Sequence, residues 1–470
     1  MTARVLAEVE RLRGSAHPDT YADSIAAAYD SAHHIAAVVV GGAEGSRERT
    51  WAQVLDRVLT HRVWGFLAMG LLFYGVFWVT IAGAAAPSDA LFWLLVQHGH
   101  PAVVQTLTQI GTPVWLTGIL GDGVYLGTAW VVAVMLPPMA IFFPLFALLE
   151  DFGYLPRVAF NLDRLFAGSG AHGKQSLTLM MGFGCNAAGV TAARIIDSPR
   201  ERLIAIVTNN FSVCNGRWPT LILIGSIFLG SLAPASLAGT VAAASVVVVA
   251  ILGILVALAV SWTLTRTVLR GETSFYALEL PPYRRPQVWR TITTTMLDRT
   301  LKVLWRAVVL AAPAGALLWL ATHVEVGSRT IAAHGIALLD PLGLAIGLNG
   351  VVLLAYVLAI PANEIVIPTI LLLTLHTGAM AASGGAVLSD FSDQQAASIL
   401  VGTGGWTLLT GVNLMLFSLL HNPCSTTVLT IWKETRSIRW TVVATLLPLA
   451  LAVAVTAATT AVARIVGVSD

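Results

Sequence analysis

"MGFGCNAAGVTAARII", Met181 to Ile196, is the stretch on which the reading of this chain turns. It lies among long apolar runs, yet gathers Gly182, Gly184, Cys185, Asn186 and Gly189 within nine positions. Such residues break helices, and a broken helix within a bilayer is tolerated only where protein or a water-filled cavity surrounds it. Around this stretch the composition is 56% hydrophobic and 11% charged, with a mean hydropathy of +0.78. These values lie far from those of soluble globular chains and indicate a polytopic membrane protein. The 470 residues leave room for roughly ten crossings at about 20 residues each. A net charge of +2 gives no argument for nucleic acid binding.

Mostly apolar runs of helical length occur at 63–84, 124–148, 203–230, 241–265, 301–322, 394–420 and 440–466. Two more runs are interrupted: 176–196, which holds the opening stretch, and 351–376, which holds "LAIPANEIVIPTILL" with Pro361, Asn363, Glu364 and Pro368. Lys and Arg cluster in 1–62, 157–174, 194–202, 266–306 and 433–439, whereas 85–123 and 377–393 have none. The positive-inside rule makes the clusters cytoplasmic, the N-terminus included, and the bare loops external. Segment 176–196 then has cytoplasmic flanks on both sides, and 351–376 has basic-poor flanks, with Arg329 against the trend. Each is expected to enter the membrane and return on the same side, from opposite sides of the bilayer. The expected fold is all-α, with two inverted repeats of transmembrane helices, each carrying a re-entrant broken-helix hairpin. The divisions are a cytoplasmic lead over 1–62, a first helix and external loop over 63–123, a first repeat over 124–270, a connector over 271–300 and a second repeat over 301–470. The lead has repeated charges and no long apolar core, so it does not read as a signal peptide.

Three cysteines without C-x-x-C spacing give no disulfide framework and no zinc pattern. Each falls beside helix breakers: Cys185 in "GFGCN", Cys214 in "SVCNGRWP" and Cys424 in "HNPCSTT". A buried Cys is ordinarily a small hydrophobe, and Gly182 and Gly189 alone fit close helix packing. Packing does not account for Cys185 together with Asn186. Glu364 and Arg217 are ionisable residues in apolar segments, where ionisable groups are costly and functional by default. Arg217 fits a counter-ion for Glu364 or a snorkelling helix end about as well as it fits a transport role. His421, three positions before Cys424, is a further donor, whereas His98, His100 and His376 lie nearer loop ends. Thiol, amide and carboxylate donors suit a borderline transition metal better than Mg²⁺ or Ca²⁺. The expected metal set is Cys185, Asn186, Cys214, Glu364, Cys424 and His421. Gly182, Gly184, Gly189, Asn215, Arg217, Pro219, Pro361, Asn363 and Pro423 form the expected structural and gating set. No residue is expected to be catalytic: there is no H-E-x-x-H pair and no G-x-S-x-G elbow.

Several motifs in order resemble the membrane part of the ferrous iron transport protein B family, FeoB. They are "THRVWG", "ALLEDFGYLPRVAFNLDRLF" with "AHGKQSL", "GFGCNAAGVTAARIIDSPRERL", "SVCNGRWPTLIL", "ALELPPYRRP", "PANEIVIPT" and "NPCSTTVLTIWKETRSIRW". The resemblance implies two Gate repeats and Fe²⁺ import across the bacterial inner membrane, with Fe²⁺ as transported substrate and no permanently bound cofactor. It implies that Cys185, Cys214 and Cys424 line the path. The chain departs from the family at Asn215, Gly216 and Trp218, where Ser or Ala is usual, and at Asn363, where Lys is usual. The family's N-terminal GTP-binding domain is not found; "GSGAHGKQ", Gly168 to Gln175, has Gln where a phosphate loop needs Ser or Thr, and no N-K-x-D motif occurs. The expected partners are the lipid bilayer, with a separate GTPase chain, a small Feo accessory protein and a second copy of the chain left open. Transport of Mn²⁺ or Zn²⁺ and a nucleoside-type carrier remain the alternatives.

Overall fold

The computed structural model describes residues 20–40, 51–170, 173–234, 236–270, 283–284, 286–377 and 393–467. Most of the expected external loop 377–393, much of the connector and the first part of the lead fall outside the described residues. Helices α1 (Thr20–Val40) and α2 (Trp51–Leu59) precede the apolar body. The next helix, α3 (Trp64–Phe92), continues through a π-helical turn to Gln109 as a 46-residue apolar stretch. Helix α4 (Leu126–Phe152) stays helical through Pro137, Pro138 and Pro144, then stops at Gly153, whose φ of +87° only glycine adopts cheaply.

The chain then forms α5 (Tyr154–Gly168), α6 (Lys174–Gly184), α7 (Asn186–Ala192), α8 (Pro199–Thr208), α9 (Trp218–Ile224) and α10 (Ala238–Arg266). After the connector come α11 (Leu301–His323), α12 (Ile331–Ala345), α13 (Gly350–Leu358), α14 (Val366–Thr377), α15 (Leu408–Leu420), α16 (Ser425–Thr435) and α17 (Ile438–Val466). Among the described residues the strands are one short hairpin, with Glu325 opposite Thr330 and Val326 opposite Arg329. Six stretches are long and apolar enough to cross a membrane, and α12 with α13, bent by 114°, makes a seventh if counted as one span. The protein is therefore an all-α polytopic membrane protein. Outward-facing apolar side chains such as Leu71, Trp78, Val248 and Trp305 are exposed, as lipid contact requires.

Two expected spans are not continuous. The run 203–230 breaks between α8 and α9, over Ser212 to Arg217, and 394–420 breaks before α15, where Gly405 takes φ +61°. Hydropathy sees only side chains, whereas buried asparagines on these two runs supply partners to backbone interrupted elsewhere in the fold. Asn209 donates its amide to the Asn186 carbonyl at 2.8 Å, and Asn413 donates to the Ile346 carbonyl at 3.2 Å.

The series α4 to α10 and the series α11 to α17 share local geometry. Asp163 accepts from the Gly173 backbone N–H at 2.9 Å, and Asp340 accepts from the Gly350 N–H at 2.8 Å, each pair ten residues apart. Gly170 and Gly347 fall at the same place between these partners, with φ of +70° and +68°. A Cβ on Gly170 would run into Thr265 of α10, and one on Gly347 into Thr460 of α17. Equal spacing along the chain thus produces equal turns docked on equivalent last helices.

Candidate functional site

The opening stretch is a helix broken at one residue. Cys185 is extended, at φ −154° and ψ 123°, between α6 and α7. Helix α7 folds back on α6, since a Cβ on Gly189 would lie 2.6 Å from the Thr178 carbonyl oxygen. The glycines serve this packing. Gly182 admits Ser212, whose Oγ would lie 2.8 Å from a Cβ added there, and Gly184 lies against the Phe142 ring. Asn186 is buried and, with its amide oriented to satisfy its surroundings, donates to the Gly182 and Ser212 carbonyls at 3.0 and 3.3 Å. It therefore stitches the hairpin to the break in the neighbouring span.

The second hairpin repeats this backbone with different side chains. Ala362 stands at φ −153° and ψ 124°, followed by buried Asn363 and by Glu364. In the first half the Asn215 N–H donates to the Gly184 carbonyl at 3.2 Å. In the second half the Ser425 N–H donates to the Ile360 carbonyl at 2.9 Å, and its hydroxyl to the Pro361 carbonyl at 3.3 Å. Each hairpin break is thus tied to the break in a span that carries a cysteine, Cys214 or Cys424. Two further contacts join the halves. Asn363 points its amide at the Cys214 sulfur, 3.8 Å away, and its oxygen lies 3.3 Å from His421 Nε2. Arg217, which is buried, donates to the carbonyls of Asn210, Leu419 and His421 at 3.0, 2.8 and 3.2 Å.

Arg217 is therefore not the counter-ion of Glu364: its guanidinium satisfies carbonyls that the broken helices leave open, in keeping with the preference of helix C-termini for cations. The half-buried Glu364 forms no ion pair among the described residues. Its carboxylate lies against Gly216, where a Cβ would collide with it. The absence of a side chain at Gly216 lets Glu364 reach the break two residues beyond Cys214. His421 places Nδ1 2.8 Å from the Ser418 carbonyl, within hydrogen-bond distance. Cys424 lies 3.3 Å from the Thr427 hydroxyl, and all three cysteines are free thiols. Pro219 lies in the first turn of α9, and Pro423 is buried in the last break. His100 lies away from this centre and pairs with Asp122 at 2.7 Å.

The structure thus brings Cys214, Asn363, His421 and Arg217 into one bonded network, with Glu364 against Gly216. Among the described residues, no three His, Cys, Asp or Glu side chains stand close enough to hold a metal ion as a cage. Sequence reading missed the roles of Ser425 and Thr427, and the paired Asp163 and Asp340. The last were detectable: Asp163, Gly170, Gly173, Cys185 and Asn186 have the same spacing as Asp340, Gly347, Gly350, Ala362 and Asn363.

Two family profiles match the chain: Gate, described as nucleoside recognition, over residues 132–228, and the ferrous iron transport protein B C terminus over residues 246–299. The Fe(2+) transporter FeoB of Staphylococcus aureus strain MSSA476 is 28% identical over 415 residues, covering 86% of this chain and 58% of the relative. The Fe(2+) transporter FeoB of Synechocystis sp. strain PCC 6803 is 28% identical over 413 residues, covering 86% and 62%. A fusion of Fe(2+) transport protein A with FeoB from Porphyromonas gingivalis strain W83 is 29% identical over 276 residues, covering 58% and 31%. No solved structure matches. The chain spans about 60% of the length of the first two relatives. Matching profiles over both the hairpin region and the segment that follows it, with relatives aligned along most of the chain, lead to one conclusion: along most of its length this chain is similar to the membrane region of FeoB proteins.

Proposed function

We propose that the chain carries Fe²⁺ across the bacterial inner membrane, and that the ion passes where the four helix breaks meet. The observation that carries this reading is the cross-linking of each hairpin break to a cysteine-bearing break, with the Glu364 carboxylate laid against one of them. Broken helices turn carbonyls and N–H groups toward one locus near the middle of the fold, as ion-coupled membrane proteins do. Cys185, Cys214 and Cys424 supply soft donors, and Asn186 and His421 stand beside them as amide and imidazole groups. Glu364 supplies charge. A mixed, incomplete donor set of this kind suits a borderline cation that must bind and then leave. The matched geometry of the two halves, with basic residues clustered as the positive-inside rule requires, supports an inverted repeat with a cytoplasmic N-terminus. The relative that fuses FeoB to Fe(2+) transport protein A supports a small Feo accessory partner, and a GTPase acting on this region fits the family. The chain acts as a transporter and not as an enzyme.

The test is uptake of Fe²⁺ into proteoliposomes under reducing conditions, with Mn²⁺, Zn²⁺ and uridine as competitors. Inhibition by metals and not by uridine supports the reading. Uptake of uridine, or Fe²⁺ influx equal to that of protein-free vesicles both with and without a GTP-loaded G-domain partner, overturns it.

A further inference from the structure

A cavity of about 980 Å³ lies beneath the first hairpin, among α4, α5, α6, α7 and α11. Met181, Ala187 and Ala188 line its inner end, next to Cys185. Its rim carries four cations, Lys174, Arg299, Lys302 and Arg306, against two acids, Glu150 and Asp298. Three of the cations have partners: Lys174 meets Asp197 at 2.9 Å, Lys302 meets Asp298 at 2.6 Å and Arg299 meets Glu150 at 3.5 Å. Arg306 has none among the described residues, though it is half-buried and one helical turn further along α11 than Lys302. A cation partly withdrawn from water and left without an anion is costly.

The wall beside it is apolar, formed by Phe143, Phe146, Leu155, Leu177 and Val303. On the same helix, Leu301, Trp305 and Val309 are exposed apolar side chains, so α11 presents one face to lipid and its Arg306 to the cavity. A free phosphate or carboxylate would answer Arg306 but leave the wall uncovered. An anionic phospholipid answers both, and basic pockets between membrane helices are recognised sites for such headgroups. We propose that this cavity binds an anionic phospholipid, its phosphate on Arg306 and Lys302 and an acyl chain along Phe143, Phe146 and Leu177. The bound phosphate offsets the excess of positive charge at the rim.

The experiment is native mass spectrometry of the purified chain, offered phosphatidylglycerol and phosphatidylcholine of identical acyl chains. Preferential retention of phosphatidylglycerol is expected. Arg306→Gln should lower that retention about five-fold, the value of one surface cation toward an anionic lipid, and Arg306→Lys should restore most of it. Arg329→Gln, at an exposed position in the short hairpin, should change nothing. Should Arg306→Gln compromise folding, Lys302→Gln on the exposed first turn of α11 gives the same reading. Equal retention of both lipids, or undiminished phosphatidylglycerol in both folded variants, overturns the proposal. Displacement of the lipid by millimolar inorganic phosphate overturns the lipid assignment in favour of a free phosphate group. The assay contains no iron, so its outcome is independent of the transport reading.

Discussion

The hairpin at Cys185 and the hairpin at Ala362 differ by one degree in each backbone angle and hold a buried asparagine at the following position. Their chemistry differs. The first offers a thiol at the break and alanines after it, whereas the second offers alanine at the break and a carboxylate two positions later. The backbone break is therefore a property of the architecture, set by turns, asparagines and cross-bonds common to both halves. The side chains at the breaks are a separate layer that each half fills in its own way.

The largest effect is expected where the halves are joined. Arg217→Leu leaves the carbonyls of Asn210, Leu419 and His421 without their donor, and breaking a buried network of this kind costs about 3–5 kcal/mol. Thermal inactivation in detergent should shift down sharply; an unchanged midpoint would show that the halves are held by packing alone. Next come the side chains of the proposed path. Cys185→Ala and Glu364→Gln should each lower Fe²⁺ uptake about 10–100-fold, in the range found when metal-site groups are removed, with the folded protein still inserted. Ala362→Cys adds a thiol at the equivalent break and should leave stability intact. Uptake unaffected in both loss variants would remove the two residues from the path.

The turns give a smaller effect and test the equivalence directly. Gly170→Ala and Gly347→Ala both place a Cβ at positive φ, costing about 1–3 kcal/mol. Gly347 should lose more, because its Cβ would meet both Asn413 and Thr460, whereas at Gly170 it meets Thr265 alone. Equal losses would mean that strain and not contact sets the cost. The smallest effect belongs to a clamp on the first half. Arg157, on α5, bonds Asp56 of α2 at 2.9 Å and lies 4.1 Å from the centre of the Tyr283 ring, while the Tyr283 hydroxyl donates to Asp56 at 2.7 Å. Burial works to raise the Asp56 carboxyl, but the hydrogen bonds from Arg157 and Tyr283 and the Arg157 charge outweigh it and hold the carboxyl below its ordinary 3.8. A lowered folded value means that the stabilisation is complete above pH 3.8 and is lost as pH falls through the lower folded value. Asp56→Asn at neutral pH should therefore loosen α2 by less than about 1 kcal/mol, read as faster hydrogen exchange in Trp51–Leu59. Exchange unchanged by the substitution would assign the docking of α2 to Leu59 and its apolar neighbours.

Much of this was legible along the chain. Composition and apolar runs gave the class, and Gly184, Cys185, Pro361 and Pro423 marked three of the helix breaks, because a break is a local property of residues that lack a Cβ, lack an N–H or compete for the backbone. Run length misled over 203–230 and 394–420, since apolar side chains continue across interruptions that only the backbone records.

What the sequence by itself determined is a chain that lives in lipid, interrupted where Gly, Pro, Asn and Cys meet. Only the tertiary structure decided that Asn215 answers Gly184 and Ser425 answers Ile360, that Arg217 serves carbonyls and not Glu364, and that Asn363 reaches Cys214. The reason is physical. A helix fails for causes within a few residues, but the groups it leaves unsatisfied are answered by whatever the packing brings near, and in this fold those partners come from as far as two hundred positions away.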